Sequence, residues 1–153
     1  MKKKILVVLL MGLLLVPITG CGEKKVEIVK EAIQTSEYYG TKHRYEKYKI
    51  TTKDELRYFK SMYSDVLAKY AEKLDGKNTI FVWTKEESSG SIKVEFREVN
   101  FNDKKVNFVI KEKRNGRGTT DMALWYLVAV IPNSELKGLD LSDWINPEDL
   151  IDF

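Results

Sequence analysis

Cysteine occurs once in the 153 residues, at Cys21, histidine once, at His43, and proline three times. A lone thiol permits no intramolecular disulfide and no cysteine-based metal site. A lone histidine leaves His43-Arg44-Tyr45-Glu46 without the second imidazole of a His-Glu-x-x-His zinc site. The stretch from Asp140 starts like a calcium loop but has Ile145 where that loop needs glycine. Gly116-x-Gly118 follows a strand-like run and opens no helix, so it reads as a turn and not a phosphate cradle. No Gly-x-Ser-x-Gly elbow frames Ser88, Ser89 or Ser91. The adjacent acids Glu86-Glu87 and Glu148-Asp149 read as solvated features, not a glycosidase pair. These absences argue against an enzyme and against a resident metal or cofactor. A pair between His43 and one of the serines stays open on sequence grounds. Beside it stands the simpler reading of a polar histidine on an exposed hairpin, flanked by Lys42 and Arg44.

Long apolar runs are equally scarce. The one present, Ile5–Val16, is shorter than the roughly 18 residues a membrane-spanning helix needs. Lys2, Lys3 and Lys4 precede it, and Pro17 and Ile18-Thr19-Gly20-Cys21 follow. An aliphatic residue, two small residues and a cysteine in that order resemble the lipobox of bacterial lipoprotein precursors. The chemistry there wants small side chains beside the scissile bond and a thiol that accepts a diacylglycerol. The resemblance implies a signal peptide over 1–20, cleavage before an acylated Cys21, and a short tether over 21–25. The expected place is the extracytoplasmic face of a cell membrane, with lipid as the anchor; one acyl chain holds weakly and several hold stably. The basic excess of 26 Lys and Arg over 23 Asp and Glu is Lys2, Lys3 and Lys4 alone. Residues 21–153 are charge-balanced, so the basic whole-chain charge gives no ground for a nucleic-acid partner.

The remaining chain has the length of one domain that can bury a sizeable core. Residues 26–33 read as a first strand and residues 44–50 as a second, with Tyr48 and Ile50 alternating against Lys47 and Lys49. Thr52-Lys53-Asp54-Glu55 fits a capping box. Behind it Leu56, Phe59, Tyr63, Val66, Tyr70 and Leu74 mark one stripe of a helix that Asp75-Gly76 ends. Thr79–Thr84 is a buried strand, and Ile92, Val94 and Phe96 alternate with Lys93, Glu95 and Arg97 as in a sheet with one wet face. Asn102-Asp103 is a turn, Val106, Phe108 and Ile110 resume the alternation, and Met122–Ile131 is apolar on both parities up to Pro132. The sum is an α+β arrangement: an antiparallel sheet system of about six strands, four of them in meander-like succession, with one main amphipathic helix packed on it.

This order, with Ile80-Phe81-Val82-Trp83, Ser88-Ser89-Gly90-Ser91-Ile92 and Gly118-Thr119-Thr120-Asp121-Met122-Ala123, resembles the C-terminal domain of PrcB-type accessory lipoproteins, subunits of surface protease complexes. The likeness would cover residues 26–132. It departs at the loop Glu87-Ser88-Ser89-Gly90-Ser91, where that family favours a Thr-Gly-Gly-Tyr type sequence. The resemblance implies a non-catalytic domain that binds or stabilises a protein partner outside the cytoplasm. Ser88, Ser89, Gly90, Ser91, Thr119, Thr120 and Asp121 are then the candidate contact residues.

Two further surfaces stand out. Tyr38, Tyr39, Tyr45, Tyr48, Tyr58, Tyr63 and Tyr70 fall within residues 38–70, interleaved with Lys42, Arg44, Lys47, Lys49, Lys53, Arg57 and Lys60. Such a face, with Tyr45 and Tyr48 foremost, would stack on envelope glycans or hold anionic polymers. The alternative is that half of these tyrosines are core. The tail over 133–153 sets Leu139, Leu141, Trp144, Ile145, Leu150, Ile151 and Phe153 among acids. It either packs on its own domain, against the basic region 42–60, or docks in a partner's groove.

Overall fold

The structure, a computed structural model, describes residues 27–35, 45–63, 65–116, 118 and 121–150. The signal segment, Cys21, the tether, Tyr38, Tyr39, Lys42, His43, Arg44, Thr119, Thr120, Ile151 and Phe153 lie outside the described residues. Six strands are described: β1 (Val29–Thr35), β2 (Lys47–Ile50), β3 (Asn78–Glu87), β4 (Ile92–Asn100), β5 (Asn107–Arg114) and β6 (Ala123–Pro132). Helix α1 (Lys53–Met62) and a 3-10 segment (Asp65–Lys73) separate β2 from β3. The fold is α+β with antiparallel sheets, β content predominating.

The last four strands do not form a meander. β1, β6, β3 and β2 make one sheet in that order, and β4 and β5 form a separate hairpin. The composition of β6 explains why. Leu124, Tyr126, Val128 and Val130 lie in the cluster with α1, whereas Ala123, Trp125, Leu127, Ala129 and Ile131 lie in the cluster with the hairpin. A strand apolar on both parities must be covered on both faces, so it takes the middle of three layers. β3 is similar, sending Ile80 and Val82 to one side and Phe81 to the other. The ten residues of β3 pair with β6 from Asn78↔Pro132 to Glu87↔Ala123. β4, with one wet face, goes outside. Lys30 Nζ donates to the Arg97 carbonyl at 2.6 Å and Lys93 Nζ to Gln34 Oε1 at 2.8 Å, holding the hairpin along β1.

The capping box forms as the sequence predicts: Glu55 N–H donates to Thr52 Oγ1 at 3.1 Å and Thr52 N–H to Glu55 Oε2 at 3.0 Å. The single expected helix, however, is two pieces. α1 stops at Tyr63 (φ −125°, ψ −71°), and the chain resumes with 3-10 winding. The period drops from 3.6 to 3, so Leu67 and Tyr70 are buried while Val66, expected in the stripe, is only half-buried. The Tyr63 and Tyr48 hydroxyls, 3.0 Å apart, share a hydrogen bond inside this core. Gly76, at φ +82°, takes the left-handed turn that follows. Between β4 and β5, Asp103 and Lys104 both have positive φ, the geometry of a tight turn, with Lys105 N–H donating to the Asn102 carbonyl at 2.9 Å.

Residues 133–150 lie on the domain. Leu136 and Trp144 are buried, and Trp144 meets Phe81 edge-to-face with centroids 4.9 Å apart. Lys49 N–H donates to the Ile145 carbonyl at 2.8 Å, so the tail covers the outer edge of β2. Lys47 Nζ pairs with Asp143 at 3.2 Å.

Candidate functional site

Strand register decides which loops meet. Thr35 pairs with Leu124 and Glu87 with Ala123, so the far end of β1, the end of β3 and the start of β6 share one edge of the molecule. Residues 88–91 leave from that edge, and Asp121 and Met122 lead into it. Gly90 N–H donates to the Asp121 carbonyl at 2.8 Å. A Cβ at Gly90 would stand 2.4 Å from Asp121 Oδ2, closer than real Cβ contacts come, so any larger residue here would make the exposed Asp121 carboxylate turn aside. A Cβ on Gly118 would lie 3.9 Å from Ser89 Oγ. The structure thus brings Ser88, Ser89, Gly90, Ser91 and Asp121 together.

Within this cluster the residues divide by role. Ser89 is buried; its hydroxyl is 2.9 Å from that of Ser91, and it accepts the Ser91 N–H at 3.3 Å. Ser91 in turn accepts Asn115 N–H through its carbonyl at 3.1 Å, tying in the β5 end. Ser89 is accordingly a brace of the loop, and Ser88 and Asp121 are the exposed members. Tyr45, 60 % exposed, sits beside them with φ +70°, its hydroxyl donating a long bond to the Glu86 carbonyl at 3.4 Å. Glu46 N–H donates to Thr84 Oγ1 at 3.0 Å and Thr84 N–H to the Glu46 carbonyl at 2.8 Å, which fixes the chain immediately after that strained residue. Tyr45, Glu86, Ser88 and Met122 line a shallow depression of about 170 Å³. Below it Lys85 bridges Glu87 and Glu112. Burial opposes the charge on Lys85, yet the hydrogen bonds it donates to Glu112 and Glu87 carry its pKa above the ordinary lysine value.

Tyr48 does not belong to this surface. It is fully buried, edge-to-face on Phe59 at 5.2 Å and tilted on Tyr63 at 5.0 Å, because its parity on β2 points to the helix layer. Tyr63 and Tyr70 are buried as well, so the band of aromatics and lysines over 38–70 is not one exposed face. Burial holds both phenols well above the ordinary tyrosine range.

Two other concavities escaped the sequence reading. One, about 250 Å³, is lined by Lys47, Trp83, Val106, Asn107, Phe108 and Trp144. It joins four separate segments, and only the tryptophan in an otherwise acidic tail hinted at it. The second, wide and open, lies at the opposite end of the sheet between Lys77, Asn78, Pro132, Asn133, Ser134 and Lys137. Among the described residues no group of three or more His, Cys, Asp or Glu stands close enough to hold a metal ion, and no helix is long and apolar enough to cross a membrane. Comparison with protein-family models, with curated proteins and with solved structures finds no match to this chain.

Proposed function

We propose that this chain is a non-catalytic lipoprotein, held by an acylated Cys21 on the extracytoplasmic face of the cell membrane, that binds or stabilises a protein partner as an accessory subunit does. The observation that carries the reading is the ordered run of Lys2–Lys4, Ile5–Val16 and Ile18-Thr19-Gly20-Cys21. The topology supports it. β1 starts at Val29, a short tether beyond Cys21, and runs for seven residues towards the edge that carries residues 88–91, Asp121 and Met122. At about 3.3 Å per residue, roughly 20 Å separates the start of β1 from that edge. A domain held at the headgroups by its N-terminal end would therefore offer the loop cluster to a partner. Exposed Tyr45 and Met122 beside Ser88 are residue types enriched in protein interfaces.

The test is site-specific photo-crosslinking in cells, with the probe at Ser88 in one strain and at Ser134, on the opposite end, in another. Expected is one dominant protein adduct from Ser88 and none from Ser134, with Cys21→Ala shifting the chain out of the membrane fraction. An anchored chain giving no adduct at Ser88, or equal adducts from both ends, would overturn the proposal.

A further inference from the structure

The groove between β2, β3, β5 and the tail lies away from the loop cluster, and its chemistry is different. Lys47 and Trp83 stand directly opposite each other across the β2–β3 pair. Phe108 and Trp144 form the rear wall, their rings 5.3 Å apart and tilted by 48°. Phe81 and Phe96 brace these two rings from behind, at 4.9 and 4.6 Å, so the aromatic surface is fixed before anything binds. Trp83 is half-buried and keeps part of its ring towards solvent. At the rim, Lys47 Nζ and Asp143 Oδ2 are 3.2 Å apart, each side chain 38 % exposed, and the ammonium lies 5.2 Å from the Trp144 ring centre. Asn107 adds an exposed amide, whose nitrogen donates to the Asn102 and Lys105 carbonyls at 3.4 Å and whose oxygen meets no donor among the described residues. The Trp144 indole N–H is buried without a hydrogen-bond partner among the described residues.

We propose that this groove binds one ring of a neutral saccharide. Three features select that ligand class. The partly exposed rings of Trp83 and Phe108, backed by the buried Trp144, match the apolar C–H face of a pyranose. A donor and an acceptor held side by side at the rim suit neighbouring hydroxyls, which both donate and accept; an anion would meet Asp143, and a cation Lys47. The volume of about 250 Å³ falls just below that of pockets enclosing drug-sized ligands, which fits a single ring and not a stretch of peptide. The mouth is open, so a longer glycan continues into solvent from the bound ring. This reading is independent of how the chain is anchored and of any protein partner.

The experiment uses the full chain in a detergent that carries no sugar, titrated with cellotriose and with chitotriose, and with glucuronic acid as the charged counterpart. Tryptophan fluorescence reports on Trp83 and Trp144 over a background from Trp125, which lies outside the groove, and saturation-transfer NMR on the sugar protons. The expected result is saturable binding of a neutral trisaccharide in the millimolar range, no response to glucuronic acid, and about tenfold weaker binding in Asn107→Ala. Trp83→Phe keeps a ring and retains binding, whereas Trp83→Ala abolishes it. Asn107 is exposed and its bonds to the Asn102 and Lys105 carbonyls are long, both 3.4 Å, so a urea midpoint measured beside the titration separates lost binding from a loosened turn. Absence of a saturable response to either trisaccharide from folded protein overturns the proposal. So does a response that Asn107→Ala leaves unchanged, or an equal response to a proline-rich peptide.

Discussion

Trp144→Ala should detach the tail from the domain and cost about 3 kcal/mol of stability. Trp144 is 5 % exposed, and a buried tryptophan removes roughly 200 Å² of surface from water. At about 25 cal/mol per Å² that burial is worth about 5 kcal/mol, an upper figure because the unfolded chain is not fully extended. The buried, unpartnered indole N–H offsets about 2 kcal/mol of it. The remainder, about 3 kcal/mol, agrees with the lower end of tryptophan-to-alanine changes in packed cores. With a urea slope of about 1–3 kcal/mol per molar, the midpoint should fall by roughly 1–3 M. The same variant has a local signature. Lys49 N–H is donated to the Ile145 carbonyl, so its hydrogen exchange should accelerate strongly while the amides of β6, in the middle of the sheet, keep their protection. A loss below about 1 kcal/mol together with a protected Lys49 amide would refute the view that Trp144 pins the tail to the sheet.

Gly90→Ala should destabilise the chain by less than about 1 kcal/mol, because its Cβ meets the exposed Asp121 carboxylate, which can turn aside, and adding Asp121→Ala should recover most of the loss in a double-mutant cycle. No recovery in the double variant would mean that the clash is not the cause. Glu31 accepts hydrogen bonds from Lys69 at 2.6 Å and from the Tyr70 hydroxyl at 2.5 Å, and these hold its pKa below the ordinary glutamate value. A depressed carboxylate contributes stability that is present above its unfolded pKa of about 4.3 and is lost as the pH falls through the lower folded value. Glu31→Gln should therefore lower stability at neutral pH by less than about 1 kcal/mol, given its partial exposure, and the gap should close in acid; urea titrations from neutral to low pH would show a constant gap if the pairing is irrelevant.

Most of the fold was legible because its elements obey local rules. Thr52 and Glu55 cap a helix wherever the chain runs beyond them, and the alternation Ile92-Lys93-Val94-Glu95-Phe96 has only one sheet face to choose. What local rules leave open is pairing. Met122–Ile131 reads as a central strand, yet nothing within it says whether its neighbours are the adjacent β5 or the distant β1 and β3. The choice falls to β1 and β3 because only a layer of helix on one face and a hairpin on the other buries both sets of its side chains. The break at Tyr63 is likewise set by packing: the shift to a three-residue period puts Leu67 into the core in place of Val66, a choice helical periodicity does not contain.

The candidate surfaces show the same division more sharply. Ser88 to Ser91 and Asp121 were singled out as separate short motifs, and the register of β3 with β6 then joins them, since strands that end together deliver their loops together. Tyr45 and Tyr48, three residues apart, looked equivalent in sequence. An odd separation already sets them on opposite faces of a strand, and the structure goes further: Tyr45 precedes β2, and its positive φ takes it out of the strand's alternation. The groove at Trp83 and Trp144 was the least legible, because its two tryptophans lie on different segments and meet only when the tail folds back over the edge of β2. A site assembled by such a return is coupled to the docking of the tail: Trp144→Ala removes both a wall of the groove and the contact that seats Asp143 beside Lys47. Loss of tail protection and loss of any ligand response should therefore appear together in that variant, whereas Asn107→Ala should weaken the response about tenfold and leave tail protection intact.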